Sequence, residues 1–404
     1  MSILHLCGRT SCGKAVESMN DNNVLSEFTR SRLLGYAQLL SQIADDYMGK
    51  EQEDDGHLSR AAMLKEHEDG KSRVILGNFM MDTAGHLEKL AYTSFSDSAA
   101  VERQRTKICK KLKMEGILLH DYYRTENRNG YEEIGMTVSS SSDDYYDVAE
   151  IAELLSRVIH KNMVPVTDER QYVYREKVAL CFCEQVRFEL MGGYAKATKE
   201  QEEVSGDNFL MREFGDGPYI AAIADGMGSG EEACESSEKV LELLERYLEA
   251  GLTVQDFRKA CNGFVYLRHD LERSVTVDVL ECNQYTGEGT FYKNGGCTSF
   301  VVQGSTVREI APDKLALGIK MYACGRCETV FFESGDRIVM LSDGVMDFYR
   351  ERKEMLYDLI LSPNASGPNE LAAGILKNVI IGCQGKMPDD MTVLVLYVVE
   401  KEDM

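Results

Sequence analysis

The stretch Tyr219-Ile-Ala-Ala-Ile-Ala-Asp225-Gly-Met-Gly-Ser-Gly230 decides the fold, because a strand-like apolar run ends there in an aspartate and three glycines. The glycines free the backbone, so that the carbonyl of Gly226 could reach a metal ion. The S-x-x-E pattern from Ser229 to Glu232 predicts a capping box at the start of a helix. The stretch therefore predicts a rigid turn between a strand and a helix that presents Asp225.

Three further acidic motifs lie next to apolar runs, namely Ser205-Gly206-Asp207-Asn208, Ser342-Asp343-Gly344 and Asp389-Asp390-Met391-Thr392. If the fold brings them together, each close pair of carboxylates repels by ~1 kcal/mol in bulk water and ~4 kcal/mol at a protein surface. Bound divalent cations would relieve that repulsion, and hard oxygen ligands select Mg²⁺ or Mn²⁺. Since a pair of such ions suits water attack at phosphorus, the motifs predict a metal-dependent phosphohydrolase.

Composition limits the class of partner. The chain has 404 residues, 44% of them hydrophobic, which favours two or three domains with a substantial core. A net charge of -22 argues against nucleic acid or anionic membrane as the main partner and favours a protein or a small phosphorylated substrate. The sequence has neither a long apolar run nor a signal-peptide pattern, so we expect a cytoplasmic chain without a membrane span. The 12 cysteines and 7 histidines are scattered, which argues against disulfides and a His/Cys metal site.

The organisation along the chain predicts an α+β protein in three parts. Residues 1–20 read as a leader, residues 21–166 as a helical or α+β regulatory domain, and residues 167–404 as the catalytic domain. In the first half we predict helices over 25–48, 74–92, 101–114 and 147–161, and a hairpin of strands 117–123 and 131–138 that turns at Asn129-Gly130. In the second half we predict strands over 178–182, 186–191, 194–197, 209–214, 219–224 and 392–399, a β-rich block over 275–341, and helices over 231–249, 254–267 and 370–381. Mostly antiparallel sheet with helices outside is implied.

Three other motifs are interpreted as chance matches. The spacing from Gly226 to Gly230 is G-x-G-x-G, and the preceding aspartate would repel a pyrophosphate, so it is not a dinucleotide fingerprint. The segment Gly8–Lys14 matches G-x-x-x-x-G-K, but Ala15 stands where a P-loop needs a hydroxyl for Mg²⁺. Cys324 and Cys327 have the spacing of a redox motif but lie in a turn-rich stretch.

The acidic motifs in their order resemble a known family. Together with Gly193-Tyr-Ala195, Tyr292-Lys-Asn-Gly-Gly-Cys-Thr-Ser-Phe300 and Leu315-Ala-Leu-Gly-Ile319, they make the run from Val178 to Val399 similar to the PP2C-type (PPM) serine/threonine phosphatases, closest to their stage II sporulation protein E branch. The resemblance implies a PP2C-like αββα sandwich of two antiparallel sheets flanked by helices. The first half resembles the regulatory segment of that branch, with weaker motifs.

The resemblance also implies a site. Two Mn²⁺ or Mg²⁺ ions would be held by Asp207, Asp225, the Gly226 carbonyl, Asp343 and Asp389, with Asp225 bridging both ions and Asp207 acting directly or through water. A water activated by the two ions would then attack phosphoserine. In the sporulation branch the substrate is a phosphorylated anti-sigma-factor antagonist, which implies a phosphoprotein partner and a role in sporulation sigma-factor control. A homodimer is possible.

The sequence differs from the family in two respects, and each difference leaves more than one interpretation open. Many eukaryotic relatives have a histidine as leaving-group acid where Met227 stands, so a metal-bound water is one alternative donor. Relatives in the sporulation branch are membrane-anchored through a region that this chain lacks, so it is a fragment or a soluble relative. A competing hypothesis is a pseudophosphatase scaffold that binds a sigma-regulator or division protein, although acidic residues at every ligand position speak against it.

Overall fold

The structure is a computed structural model. It describes residues 32–45, 48, 60–93, 99–127, 130–166, 172–214, 218–267, 275–313, 316–317, 325–362 and 366–401. The chain divides into two compact units, Met1–Val101 and Glu102–Met404, and each is described by itself. The predicted leader, the Gly8–Lys14 match and Cys324 lie outside the described residues.

Two helices are described in the first unit, α1 over residues 32–45 and α2 over Arg60–Thr93. Among the side chains that the structure describes, the buried positions of these helices are occupied by small residues, namely Ala37, Ala44, Gly77, Ala84 and Ala91. A Cβ atom at Gly77 would overlap the side chain of Met48, so this mid-helix glycine leaves room for a close contact. The helix predicted over 74–92 is confirmed and begins earlier, at Arg60.

A four-stranded antiparallel sheet opens the second unit, in the order β1-β2-β6-β4. Its helices α3 and α4 share a core with it that includes Ile108, Leu155 and Phe182. The Asp147 carboxylate accepts from the Ala149 amide and caps α4. The elements are α3 (Ala99–Met114), β1 (Ile117–Glu126), β2 (Glu132–Ser140), β3 (Tyr146–Asp147), α4 (Val148–Ile159), β4 (Met163–Pro165), β5 (Tyr172–Val173) and β6 (Val178–Glu184).

Two five-stranded antiparallel sheets follow, in the orders β14-β11-β10-β9-β8 and β13-β12-β15-β16-β7. The strands are β7 (Phe188–Ala197), β8 (Asp207–Glu213), β9 (Pro218–Gly226), β10 (Val275–Asn283), β11 (Glu288–Asn294), β12 (Ser299–Gln303), β13 (Thr306–Ile310), β14 (Arg326–Phe331), β15 (Arg337–Leu341) and β16 (Met391–Glu400). Residues from both sheets, such as Ala221, Phe291, Ile338 and Leu394, form one apolar core between them.

Helices cover both outer faces of this sandwich. The first sheet packs against α5 (Glu231–Glu249) and α6 (Val254–Leu267) through a core around Leu244 and Phe257. The second packs against α7 (Asp343–Tyr349), α8 (Lys353–Leu361) and α9 (Pro368–Gly382) through a core around Tyr349 and Ile375. The predicted α+β fold with two antiparallel sheets between helices is confirmed.

Several elements differ from the prediction. The separate strands 186–191 and 194–197 are one strand, β7, that runs through Gly192 and Gly193. Strand β2 extends through Ser139 and Ser140, beyond the predicted end at residue 138, and α7 and α8 were not predicted. Strand β6 pairs with β2 and β4, so sheet pairing continues across the predicted boundary at 166/167, which stays a prediction.

Candidate metal centre

The four acidic motifs meet at one edge of the sandwich because strand ends deliver them there. Asp207 is the first residue of β8 and lies directly opposite Asp225, near the end of β9. In the second sheet, Asp343 follows β15 and Asp389 precedes β16. The ends of these two strands are joined by hydrogen bonds, since the Ser342 amide donates to the Thr392 carbonyl at 3.0 Å and the Thr392 amide to Ser342 Oγ at 2.8 Å.

Asp390 ties the two sheets together at this edge. Its side chain is 5% exposed, and its two carboxylate oxygens accept from the backbone amides of Lys199 at 2.9 Å and Gly206 at 2.8 Å. Gly206 immediately precedes Asp207, so Asp390 fixes the backbone that carries the first aspartate. The sequence analysis quoted this residue within its motif but gave it no role. Charge alone does not distinguish it from Asp389; its burial and its two amide donors do.

These carboxylates are near enough for the charge of one to raise the pKa of another. Burial, followed by the charges of Asp207, Asp343, Asp389 and Asp390, raises the pKa of Asp225 to about 8. Burial also raises the pKa of Asp343, as does the charge of Asp389, while the Gly344 amide opposes the shift. A proton or a cation is therefore needed to hold this cluster together near neutral pH.

Asp207 has the features of a metal ligand. Its residue is 1% exposed, and neither carboxylate oxygen has a hydrogen-bond partner. Burial raises its pKa to about 6; the nearby hydroxyls of Ser342 and Thr392 favour the charged form, without reaching hydrogen-bonding geometry. Because a buried carboxylate without a partner is costly, this residue suits a divalent cation that would complete its coordination.

The cluster is not a finished cage. Among the residues that the structure describes, no three acidic, histidine or cysteine side chains stand close enough to enclose an ion. The outermost carboxylate, Asp389, is 47% exposed and forms an ion pair with Lys199, at 3.5 Å between Oδ1 and Nζ. All predicted side-chain ligands are nonetheless carboxylates at one edge, which is the donor chemistry that Mg²⁺ and Mn²⁺ prefer.

A pocket opens beside Asp225 and Asp343. Its other lining residues include Thr276, Asp278, Gly295, Gly296, Cys297 and Ser342. Asp278 forms a buried ion pair with Lys293, at 2.6 Å between Oδ2 and Nζ, and Lys293 also donates to Ser299 Oγ at 2.8 Å. The sequence analysis assigned no role to this pair, although Lys293 and Ser299 lie in the Tyr292–Phe300 motif.

The turn after Asp225 differs from the prediction in one respect. The capping box is wrong, because Gly230 is the N-cap of α5 without a side-chain bond, and Ser229 Oγ donates instead to Glu202 Oε1 at 2.7 Å. Gly226 is needed for close packing, since a Cβ atom there would overlap the backbone of Ala233 on α5. Met227 is 56% exposed, and its thioether has no proton to donate to a leaving group.

Comparisons with known proteins agree with this geometry. A family model described as stage II sporulation protein E matches residues 215–399. Stage II sporulation protein E of Bacillus subtilis (strain 168) is 27% identical over 300 residues, which are 73% of this chain and 36% of that protein. The phosphoserine phosphatase RsbX of the same organism is 28% identical over 152 residues, which are 36% of this chain and 70% of RsbX. This chain thus spans about a third of the sporulation protein.

One solved structure shows the same fold over most of the chain. It contains the PP2C phosphatase domain and a fragment of the regulatory domain of the cell fate determinant SpoIIE from Bacillus subtilis. The TM-score is 0.64 at 23% identity, and the match covers 86% of this chain and 100% of that one. Within the described part of this chain, no helix has the length and apolar character to span a bilayer.

Proposed function

Since the chain carries a PP2C-type serine/threonine phosphatase domain of the stage II sporulation protein E family, we propose that it is a metal-dependent protein phosphatase that hydrolyses phosphoserine. The observation that carries the proposal is the convergence of Asp207, Asp225, Asp343 and Asp389 at one edge, where the carboxylate of Asp207 is buried and has no hydrogen-bond partner. Such a cluster is stable near neutral pH when cations neutralise it.

The residues have separate roles in this proposal. Two divalent cations, when bound, supply charge neutralisation and an activated water for attack at phosphorus. Asp225 lies centrally and faces the other carboxylates, so it would hold both ions, assisted by the Gly226 carbonyl. Asp343 and Asp389, from the second sheet, would hold one of them. Asp207 would bind directly or through water, and Asp390 keeps the backbone before it in place.

Met227 supports a further step of the proposal. Its side chain carries no ionisable proton. Water therefore supplies the proton that the serine oxygen takes up when its bond to phosphorus breaks. The rate would then lack the fall above about pH 6.5 that loss of the proton from a histidine acid imposes.

For the substrate we propose a phosphoserine protein, specifically a phosphorylated anti-sigma-factor antagonist, and hence a role in sporulation sigma-factor control. The likeness to stage II sporulation protein E and to the phosphoserine phosphatase RsbX supports this choice. A homodimer is a further prediction, tested by light scattering of the purified protein.

The experiment is hydrolysis of a phosphoserine peptide with millimolar Mn²⁺ or Mg²⁺, before and after chelation. We expect activity that chelator abolishes and metal restores, and loss of about 10²-fold or more in Asp225→Asn. The control is Asp358→Asn, which removes an equally charged but exposed residue of α8 and should leave the rate unchanged. If Mn²⁺ binds but no phosphopeptide is hydrolysed, the scaffold alternative replaces this proposal.

A further inference from the structure

Lys199 forms an ion pair with one carboxylate of the acidic edge, that of Asp389. Among the described residues it is the one basic side chain in an ion pair with Asp207, Asp225, Asp343, Asp389 or Asp390, through the 3.5 Å contact between its Nζ atom and Asp389 Oδ1. The nearby Lys196 is in none of these ion pairs; its ammonium group donates to the backbone carbonyl of Asp207.

Backbone hydrogen bonds fix the position of Lys199. Its amide donates to Asp390 Oδ1 at 2.9 Å, and the next amide, of Glu200, donates to the carbonyl of Met387 at 2.9 Å. These two bonds hold the segment after β7 against the segment before β16. The side chain of Lys199 is thereby kept beside Asp389, although 35% of it is exposed.

The ion pair engages one oxygen atom of Asp389. Asp389 Oδ1, the atom that contacts Lys199, also accepts from the amide of Asp390 at 3.1 Å. The carboxylate is therefore engaged on the Lys199 side, while Asp207 and Asp225 lie opposite each other on the first sheet. An ion bound between the two sheets must draw Asp389 away from Lys199 or share it.

We propose that Lys199 is a built-in competitor of the metal: it holds Asp389 in the metal-free protein and lowers the affinity of the cation that Asp389 helps to bind. This inference rests on the proposed metal site and adds a positioning residue that sets its affinity. Two effects act in the same direction, since an arriving cation must break the ion pair and is repelled by the ammonium group. Because the pair is partly exposed, the effect is modest.

The test is calorimetric titration of the metal-free full chain with Mn²⁺ at fixed pH and ionic strength. We expect Lys199→Gln to bind Mn²⁺ about two- to fivefold more tightly than the wild type, which is the range of an exposed ion pair. Lys199→Arg keeps the charge and should bind as the wild type does. Lys386→Gln is the matched control, because it removes an exposed charge three residues from Asp389 that forms no ion pair with Asp389.

An unchanged affinity in Lys199→Gln overturns the inference, as does equal tightening in Lys386→Gln or in Lys199→Arg. If the wild type itself binds no Mn²⁺, the proposed metal site fails, and the inference fails with it. Binding by the wild type with no difference between the variants removes only the role of Lys199. The two failures are therefore distinguishable.

Discussion

Asp207 and Asp225 lie directly opposite each other on the neighbouring antiparallel strands β8 and β9. Both are held by strand backbone, and burial is the main cause of the raised pKa of each. The two carboxylates are therefore fixed in position, and their burial and mutual repulsion are unfavourable unless they are protonated, as at low pH. Bound metal ions can relieve the same repulsion at higher pH. Because metal ions then replace protons, the centre can be tested by protein stability as well as by activity.

The metal-free protein should lose stability as pH rises, with Asp225 as a main cause. The pKa of Asp225 rises from 3.8 to about 8, so the folded state holds a proton that the unfolded chain releases above about pH 4. Stability from this group is therefore present at low pH and falls as pH rises from about 4 to about 8. In Asp225→Asn this contribution is absent. We expect the melting temperature of the variant to exceed that of the metal-free wild type by more at pH 8 than at pH 5.

Calorimetric scans of both proteins in chelator, at several pH values, measure this difference. Comparing the two proteins at each pH removes the contributions of all other titrating groups. A difference that is constant, or that shrinks toward pH 8, contradicts the electrostatic assignment of Asp225.

Added Mn²⁺ should stabilise the wild type increasingly with pH. Ligand carboxylates must be deprotonated to bind a cation, and the pKa of Asp207 is about 6 while that of Asp225 is about 8. The gain in melting temperature on adding saturating Mn²⁺ should therefore grow between pH 5.5 and pH 8. Asp225→Asn should show little gain at any pH, while Asp358→Asn should behave as the wild type. An equal gain across the pH range would mean that these two groups do not bind the ion.

Asp389 and Asp390 are adjacent in sequence, but substituting them should affect different properties, namely metal affinity for Asp389 and stability for Asp390. Asp390 is buried and accepts from two backbone amides, so Asp390→Asn leaves one donor without a good acceptor and should cost about 1–3 kcal/mol of unfolding free energy. Asp389 is half exposed, so Asp389→Asn should change the stability of the metal-free protein by less than about 0.5 kcal/mol. Its effect should be weaker Mn²⁺ binding. Urea unfolding in chelator and metal titration separate the two, and the opposite ranking of stabilities would refute these roles.

The sequence predicts the fold well where a strand or helix has a strong local pattern. The helices 231–249 and 254–267 were predicted with their observed bounds, because their apolar residues follow helical spacing. The helix that begins at Asp343 was missed, since it is short and starts within the Ser-Asp-Gly motif. The membership of β6 in the first sheet depends on long-range pairing with β2, which local periodicity does not report.

In the candidate site, too, the sequence predicts the features that have a local pattern and misses those that depend on long-range contacts. The aspartates could be chosen from sequence because strand-like runs precede Asp225 and Asp343, which indicates a rigid position for a carboxylate. The failed capping box shows the limit, since Ser229 has the correct spacing but bonds to Glu202 across the fold. Lys199 had no motif to identify it, because its relation to Asp389 exists only after the segments before β16 and after β7 come together.

The buried pair of Lys293 and Asp278 should be essential for stability beside the pocket. Lys293 is fully buried and Asp278 nearly so, and each is the other's counter-ion. Lys293→Met would leave a buried carboxylate without its cation, so we expect a loss of about 3–5 kcal/mol of unfolding free energy.

Adding Asp278→Asn to that variant should recover part of the loss, because the remaining group no longer carries a charge. The control Lys239→Met removes an exposed partner of Glu235 on α5 and should cost at most about 1 kcal/mol. Equilibrium urea unfolding of the three variants measures these differences. If Lys293→Met costs no more than Lys239→Met, or if the double variant is less stable than Lys293→Met alone, the pair is not held together by compensation of buried charge. The wall formed by Gly295, Gly296 and Cys297 would then have to be positioned by other contacts.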